Sequence, residues 1–153
     1  MKYLIYLFLL CSCLSFAQTM TVKVVGVTDG DTVNVLAPGN EMLKIRLAEI
    51  DAPEKSQDFG QAAKKHLSNL IYDKTVQLTI IDTDKYGRSI GKIYLDNVYV
   101  SYLMIKDGYA WHFKKYSDSE VLARAENEAR KNKKGLWLVP GAIAPWEWRK
   151  PKK

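Results

Sequence analysis

Met20 to Glu54 reads MTVKVVGVTDGDTVNVLAPGNEMLKIRLAEIDAPE, and its apolar residues recur at every second position. Met20, Val22 and Val24 alternate with polar or small neighbours. Val33 and Val35 resume the alternation after the Asp29-Gly30 turn, and Leu43, Ile45 and Leu47 resume it after Pro38-Gly39. A period of two puts successive side chains on opposite faces of a strand, so the stretch predicts three strands joined by tight turns.

The same period returns at Val76, Leu78 and Ile80, and at Ile90, Lys92 and Tyr94 beyond the Tyr86-Gly87 turn, which makes five strands. Between the third and fourth, Phe59, Ala62, Ala63, His66, Leu67, Leu70 and Ile71 follow a 3.6-residue period and predict a helix with one apolar face. That order is the order of an OB-fold barrel, so the expected class is β-rich α+β: a five-stranded OB-fold β-barrel with three helices. The second helix is expected over Val100 to Asp107, ended by Gly108 in a left-handed conformation. The third is expected to open on the capping-box pair Ser117 and Glu120, to carry Val121, Leu122, Ala125 and Ala129 on one face, and to close at Gly135. Leu136 to Lys153, with Trp137, Trp146, Trp148, Pro140, Pro145 and Pro151, reads as an irregular strap whose basic end, Arg149 to Lys153, frays.

Residues 1–17 stand apart from this domain of residues 18–153. Lys2 precedes an apolar run from Tyr3 to Leu14, broken only by Ser12, and Ser15-Phe16-Ala17 offers small residues to a signal peptidase. A run of about 12 apolar residues is short for a permanent membrane span. The reading is a signal peptide cut before Gln18, giving a secreted or periplasmic protein. An uncleaved anchor is one alternative. Another is a lipoprotein signal at Leu10-Cys11-Ser12-Cys13, leaving a lipid on Cys13 at the cell surface. Both cysteines lie in this leader, so the mature domain has no disulfide, zinc-thiolate site or cysteine nucleophile. The whole chain carries +6 and Lys2 is the leader's only charge, so +5 remains, a balance that suits a polyanion partner.

Three polar runs interrupt the strands: DGDT (Asp29 to Thr32), RLAEIDAPE (Arg46 to Glu54) and DKYGR (Asp84 to Arg88). Asp31 opens one strand and Asp51 ends another, so neighbouring strands bring both carboxylates to one rim. Two carboxylates with a backbone carbonyl, water and a substrate phosphate make an all-oxygen shell of the kind Ca²⁺ takes. Glu54 stands where it can orient or deprotonate water. Arg46 and Arg88 supply fixed positive charge for a phosphate passing through a five-coordinate transition state. The plainer reading of each is local: turn carboxylates for the aspartates, a helix-dipole charge for Glu54, surface ion pairs for the arginines. Arg46 and Asp51 are five apart, which puts them on opposite pleat faces unless the strand bends.

On these motifs, over Thr21 to Trp137, the chain resembles the staphylococcal nuclease (thermonuclease) family. The resemblance implies a Ca²⁺-dependent phosphodiesterase acting on DNA and RNA that releases the 5′ oxygen and leaves 3′-phosphates. It implies Asp31, Asp51 and the carbonyl of Ala52 as metal ligands, with alanine in place of the family's threonine. It implies Arg46 and Arg88 as phosphate-binding arginines and Glu54 as the general base. Lys85 and Tyr86 match residues that contact a terminal phosphate, and Tyr116 matches a base-stacking tyrosine. The Lys55 to Gln57 loop is shorter than the family's long loop, and Glu49 is expected to face outward into solvent. His66, His112 and Trp111 read as structural. The expected partners are nucleic acids, with the protein a monomer. The competing reading is a non-catalytic OB-fold module that binds nucleic acid without cutting it.

Overall fold

The computed structural model describes residues 19–151. The leader, its cleavage and lipid-box alternatives, both cysteines and the last two lysines lie outside the described residues. No helix among the described residues is long and apolar enough to cross a membrane.

Five strands close a mixed barrel: β1 (Thr19–Val27), β2 (Thr32–Ala37), β3 (Glu41–Leu47), β5 (Thr75–Thr83) and β6 (Ser89–Leu95). The order β3-β2-β1-β5-β6 is antiparallel throughout, and β6 returns to pair in parallel with β3, opposing Arg46 to Ile90. Closure leaves no long free edge among these five strands. Short pieces complete the rim: β4 (Ile50–Asp51) pairs with β8 (Trp111–His112), and β7 (Val98–Tyr99) pairs with β6.

The alternation in the sequence sorts the barrel interior for four strands. Val22, Val24, Val33, Val35, Ile45, Leu47, Val76 and Leu78 are all buried. Each contributes about 1.5–3 kcal/mol by leaving water. In β6 the parity is the reverse of the expected one. Gly91 and Ile93 face inward, while Ile90, Lys92 and Tyr94 are only partly covered. The cause is space: a Cβ on Gly91 would lie 2.6 Å from Leu78 Cδ1 and 3.0 Å from Ile45 Cγ2, so the interior admits only glycine there.

Helix α1 (Gly60–Ile71) caps the barrel with Ala63, Leu67 and Ile71 buried. Its His66 bonds Asp107 at 3.0 Å and stacks on Tyr109 at 4.2 Å, tying α1 to the end of α2 (Val100–Lys106), a structural role as expected. Gly108 follows α2 at φ 79°, in the left-handed conformation its position predicted. Helix α3 (Glu120–Lys131) is capped by Ser119, whose hydroxyl accepts from Leu122 N–H, and not by Ser117. The Ser117 hydroxyl is engaged elsewhere, with Glu49 and His112. The helix also ends before Gly135, which opens a 3-10 turn over Gly135–Leu138.

The strap holds a fourth, short helix, α4 (Pro145–Trp148), beyond the three expected. It is seated by an aromatic cluster. Trp111 meets Trp137 at 4.3 Å and Trp146 at 5.5 Å edge-on, Phe113 stacks on Trp146, and the Arg130 guanidinium lies 3.7 Å from the Trp137 ring centre. Trp111 is thus core, as its sequence context suggested.

Candidate active site

Asp31 is placed by a turn in which its own N–H donates to Asp29 Oδ1 and its carbonyl accepts from Leu47 N–H. Its carboxylate is buried and fully engaged. Oδ1 accepts from Thr32 Oγ1 at 3.0 Å and from Arg46 at 2.6 Å, and Oδ2 accepts from the Ala52 N–H at 3.0 Å. Burial and the neighbouring Asp31 carboxylate push the Asp29 carboxyl up from its ordinary value.

Arg46 joins the two aspartates. One terminal nitrogen donates to Asp31 and the other to Asp51 Oδ1 at 2.9 Å. The two carboxylates therefore stand no farther apart than one guanidinium spans, on side chains that are 6% and 1% exposed. Simple alternation forbids this meeting, since Arg46 and Asp51 differ by an odd number. The chain evades it at Glu49, whose φ of 67° breaks the strand between β3 and β4 and swings Asp51 back beside Arg46.

Glu49 itself is not the outward, solvated residue that was expected. Its carboxylate accepts from Tyr99 OH at 2.8 Å and Ser117 Oγ at 3.0 Å and pairs with Lys92 Nζ at 3.1 Å. Burial opposes its ionisation, but these donors outweigh it and hold the carboxyl below its ordinary value. A carboxyl depressed on folding adds stability above its unfolded pKa of about 4.3, and that stability is lost as pH falls through the folded value. Glu49→Gln is therefore expected to flatten the acid side of the stability profile, read by urea unfolding at a series of pH values below about 5. An unchanged acid limb would show that these bonds do not favour the charged form. His112, buried with Nε2 bonded to Ser117, is pushed down by burial and serves the same structural corner.

Ala52 is buried behind Asp31, tied there through its amide. Glu54, about half exposed, is linked to Asp51 through a residue that sequence reasoning missed. Arg149, taken as part of a frayed end, is docked: one terminal nitrogen reaches Glu54 at 2.6 Å and Asp51 Oδ1 at 3.2 Å, and the other reaches Asp51 Oδ2 at 2.6 Å. The hydrogen bonds to Asp51 are the main reason its guanidinium is held charged. Gln57 was also missed. Its side chain accepts from Glu54 N–H and donates to Ile143 carbonyl at 2.6 Å, clamping the strap against the loop that carries Glu54. Nothing local marked either residue; both contacts join segments far apart in sequence.

Arg88 is not brought into this cluster. Its Nε donates to Asp84 Oδ2 at 2.7 Å, while Asp84 Oδ1 accepts the amides of Tyr86 and Arg88. Arg88 stands just before β6, whose Ile90 opposes Arg46 across the parallel ladder. Lys85 and Arg88 both lie over the exposed Tyr86 ring, at 5.0 and 5.7 Å. Tyr116 is exposed, edge-on to Phe113 at 4.9 Å, with Lys115 over its ring. Between that segment and the strap runs a cleft of about 530 Å³ lined by Phe113, Lys114, Lys115, Arg130, Trp146 and Arg149, with the Glu126 carboxylate also in its wall.

Among the described residues, no three His, Cys, Asp or Glu side chains form a metal-binding group. The pair that does converge, Asp31 and Asp51, is all-oxygen and buried, and two guanidiniums offset all but one of the three charges that it and Glu54 carry. That donor chemistry fits a hard divalent cation completed by water and a backbone carbonyl. It does not suit a softer metal.

The family model described as staphylococcal nuclease homologue matches residues 44–139. A Haemophilus influenzae protein described as an uncharacterized endonuclease is 43% identical over 133 residues, 87% of this chain and 75% of that protein. An Escherichia coli protein with the same description is 41% identical over 128 residues, 83% of each chain. A Shigella flexneri micrococcal nuclease is 36% identical over 143 residues, 86% of this chain and 81% of that protein.

Proposed function

Because the chain belongs to the staphylococcal nuclease family, we propose that it is an exported, Ca²⁺-dependent nuclease that cuts phosphodiester bonds of DNA and RNA endonucleolytically and leaves 3′-phosphates. The nuclease descriptions of its relatives support the hydrolytic part of this reading. The observation that carries the reading is the Arg46 guanidinium spanning two buried aspartates at the barrel rim. A charge cluster of this kind, taken out of water, is costly to build for stability alone.

Asp31, Asp51 and the carbonyl of Ala52 would hold Ca²⁺, which when bound supplies positive charge to the phosphate oxygens. Glu54, half open to solvent beside this pair, takes the proton of the attacking water. The water oxygen bonds to phosphorus as the bond to the 5′ oxygen breaks, and the departing 5′ oxygen takes a proton from solvent. Arg46 stabilises charge on the phosphate oxygens, with Arg88 turning from Asp84 to join it. Lys85 and Tyr86 on the β5–β6 turn grip a neighbouring phosphate, and Tyr116 offers an exposed ring for base stacking. The protein acts as a monomer, released outside the cytoplasm or held at the surface through a lipid on Cys13.

The test is cleavage of single-stranded DNA, duplex DNA and RNA by residues 18–153 in Ca²⁺, Mg²⁺ or chelator, with analysis of the new ends. Products bearing 3′-phosphates in Ca²⁺ alone are expected. Affinity for nucleic acid that survives in chelator with no cleavage in any metal would instead identify a binding module.

A further inference from the structure

We propose that Arg149 is a latch that competes with the divalent cation for the site's carboxylates, so that cation binding and tail docking at Arg149 exclude one another. The inference rests on the reading of Asp31 and Asp51 as cation ligands.

Both oxygens of Asp51 are occupied by guanidinium nitrogens: Oδ2 by Arg149 at 2.6 Å, and Oδ1 by Arg46 at 2.9 Å and Arg149 at 3.2 Å. The same Arg149 nitrogen holds Glu54 at 2.6 Å. A fork of this kind makes two parallel charge-assisted bonds to one carboxylate, the strongest side-chain pairing available to arginine. Asp51 is 1% exposed, so no second open face of this carboxylate remains for a cation. Arg149 is 42% exposed and stands on the solvent side, the side from which an ion or a phosphate arrives.

Charge tells the same story. Asp31, Asp51 and Glu54 bring three negative charges, and Arg46 and Arg149 return two. Arg46 is enclosed, at 16% exposure, and bridges both aspartates. Arg149 is the arginine that can leave. The strap that carries it is seated independently, through the Gln57 bond to Ile143 and the packing of Trp146 on Trp111 and Phe113. The strap stays seated on these contacts when the side chain is released, and what loses its tether is its last turn, at residues 148–150.

Calorimetric titration of Ca²⁺ into the wild type, Arg149→Gln and Lys150→Gln separates this latch from general electrostatics. Lys150 pairs with Glu147, away from the carboxylates, and its replacement removes the same charge one residue along. Arg149→Gln is expected to bind Ca²⁺ about tenfold or more tightly than wild type, because the competent state no longer has to displace a guanidinium. Lys150→Gln is expected to stay within about twofold. In the wild type, Ca²⁺ is expected to speed hydrogen exchange at the amides of residues 148–150, which bond back to Ala144, Pro145 and Glu147. Equal finite affinities for wild type and Arg149→Gln, weaker binding by Arg149→Gln, or exchange at these amides untouched by Ca²⁺ would each overturn the latch while leaving the nuclease reading intact. No Ca²⁺ binding by any of the three proteins would overturn both.

Discussion

Arg46→Ala is expected to lower cleavage by about 10²–10³-fold through the lost stabilisation of phosphate charge alone, and also to destabilise the fold by about 3–5 kcal/mol. The second effect follows from burial. Asp31 and Asp51 are almost wholly enclosed, and among the described residues Arg46 is the only guanidinium that touches both. Burial disfavours the charged form of Arg46, yet the two aspartates more than reverse that and hold it protonated. Without it, Asp31 keeps two hydrogen bonds, from Thr32 and Ala52, but no counter-charge among the described contacts. Urea unfolding followed by tryptophan fluorescence and single-turnover cleavage measure the two effects separately. Arg46→Lys keeps the charge but a point ammonium does not bridge two carboxylates as a planar fork does, so it should recover part of the stability and little of the rate. If Arg46→Ala were as stable as wild type, the buried cluster would not depend on this bridge.

Gly60→Ala tests the backbone that carries Glu54. Alanine is the better helix former by up to about 1 kcal/mol, and on propensity alone the change at the start of α1 would stabilise. Sterics decide the other way. The new Cβ would fall 1.9 Å from the Glu54 carbonyl oxygen, 2.8 Å from its carbon and 3.2 Å from Lys55 Cα. All three are backbone atoms, so no rotamer change relieves the contact and the Glu54 loop must shift. The expected cost is about 1–3 kcal/mol or more. Displacing the base by even ~1 Å is expected to slow cleavage about 10²-fold. A stabilised, fully active Gly60→Ala would show that the loop yields freely and that Glu54 need not be held where it is.

The barrel was legible because burial on one face of a strand writes a period of two into the sequence. Where that rule failed, in β6, a glycine supplied the inner face and carried no hydrophobic signal. The approach of Asp31, Arg46 and Asp51 was only half legible. The residue types announced the chemistry, but parity argued against the geometry, and the bend at Glu49 depends on a positive φ that glutamate does not advertise. Glu49 was misjudged because its three partners, Tyr99, Ser117 and Lys92, come from elsewhere in the fold. Arg149 looked like one more basic residue in a run of lysines, since a contact 98 residues long leaves no local trace.

That separation has a consequence in time. Ribosomes add about 5–20 residues per second, so Arg149 is made roughly 5–20 s after Asp51. Arg46 precedes Asp51 and is already present when the barrel strands emerge, but the partner of Glu54 is not. Until then the chain holds the three carboxylates and Arg46 but lacks the second guanidinium. Vectorial synthesis thus supplies the acidic residues of this pocket first and the guanidinium that closes it last.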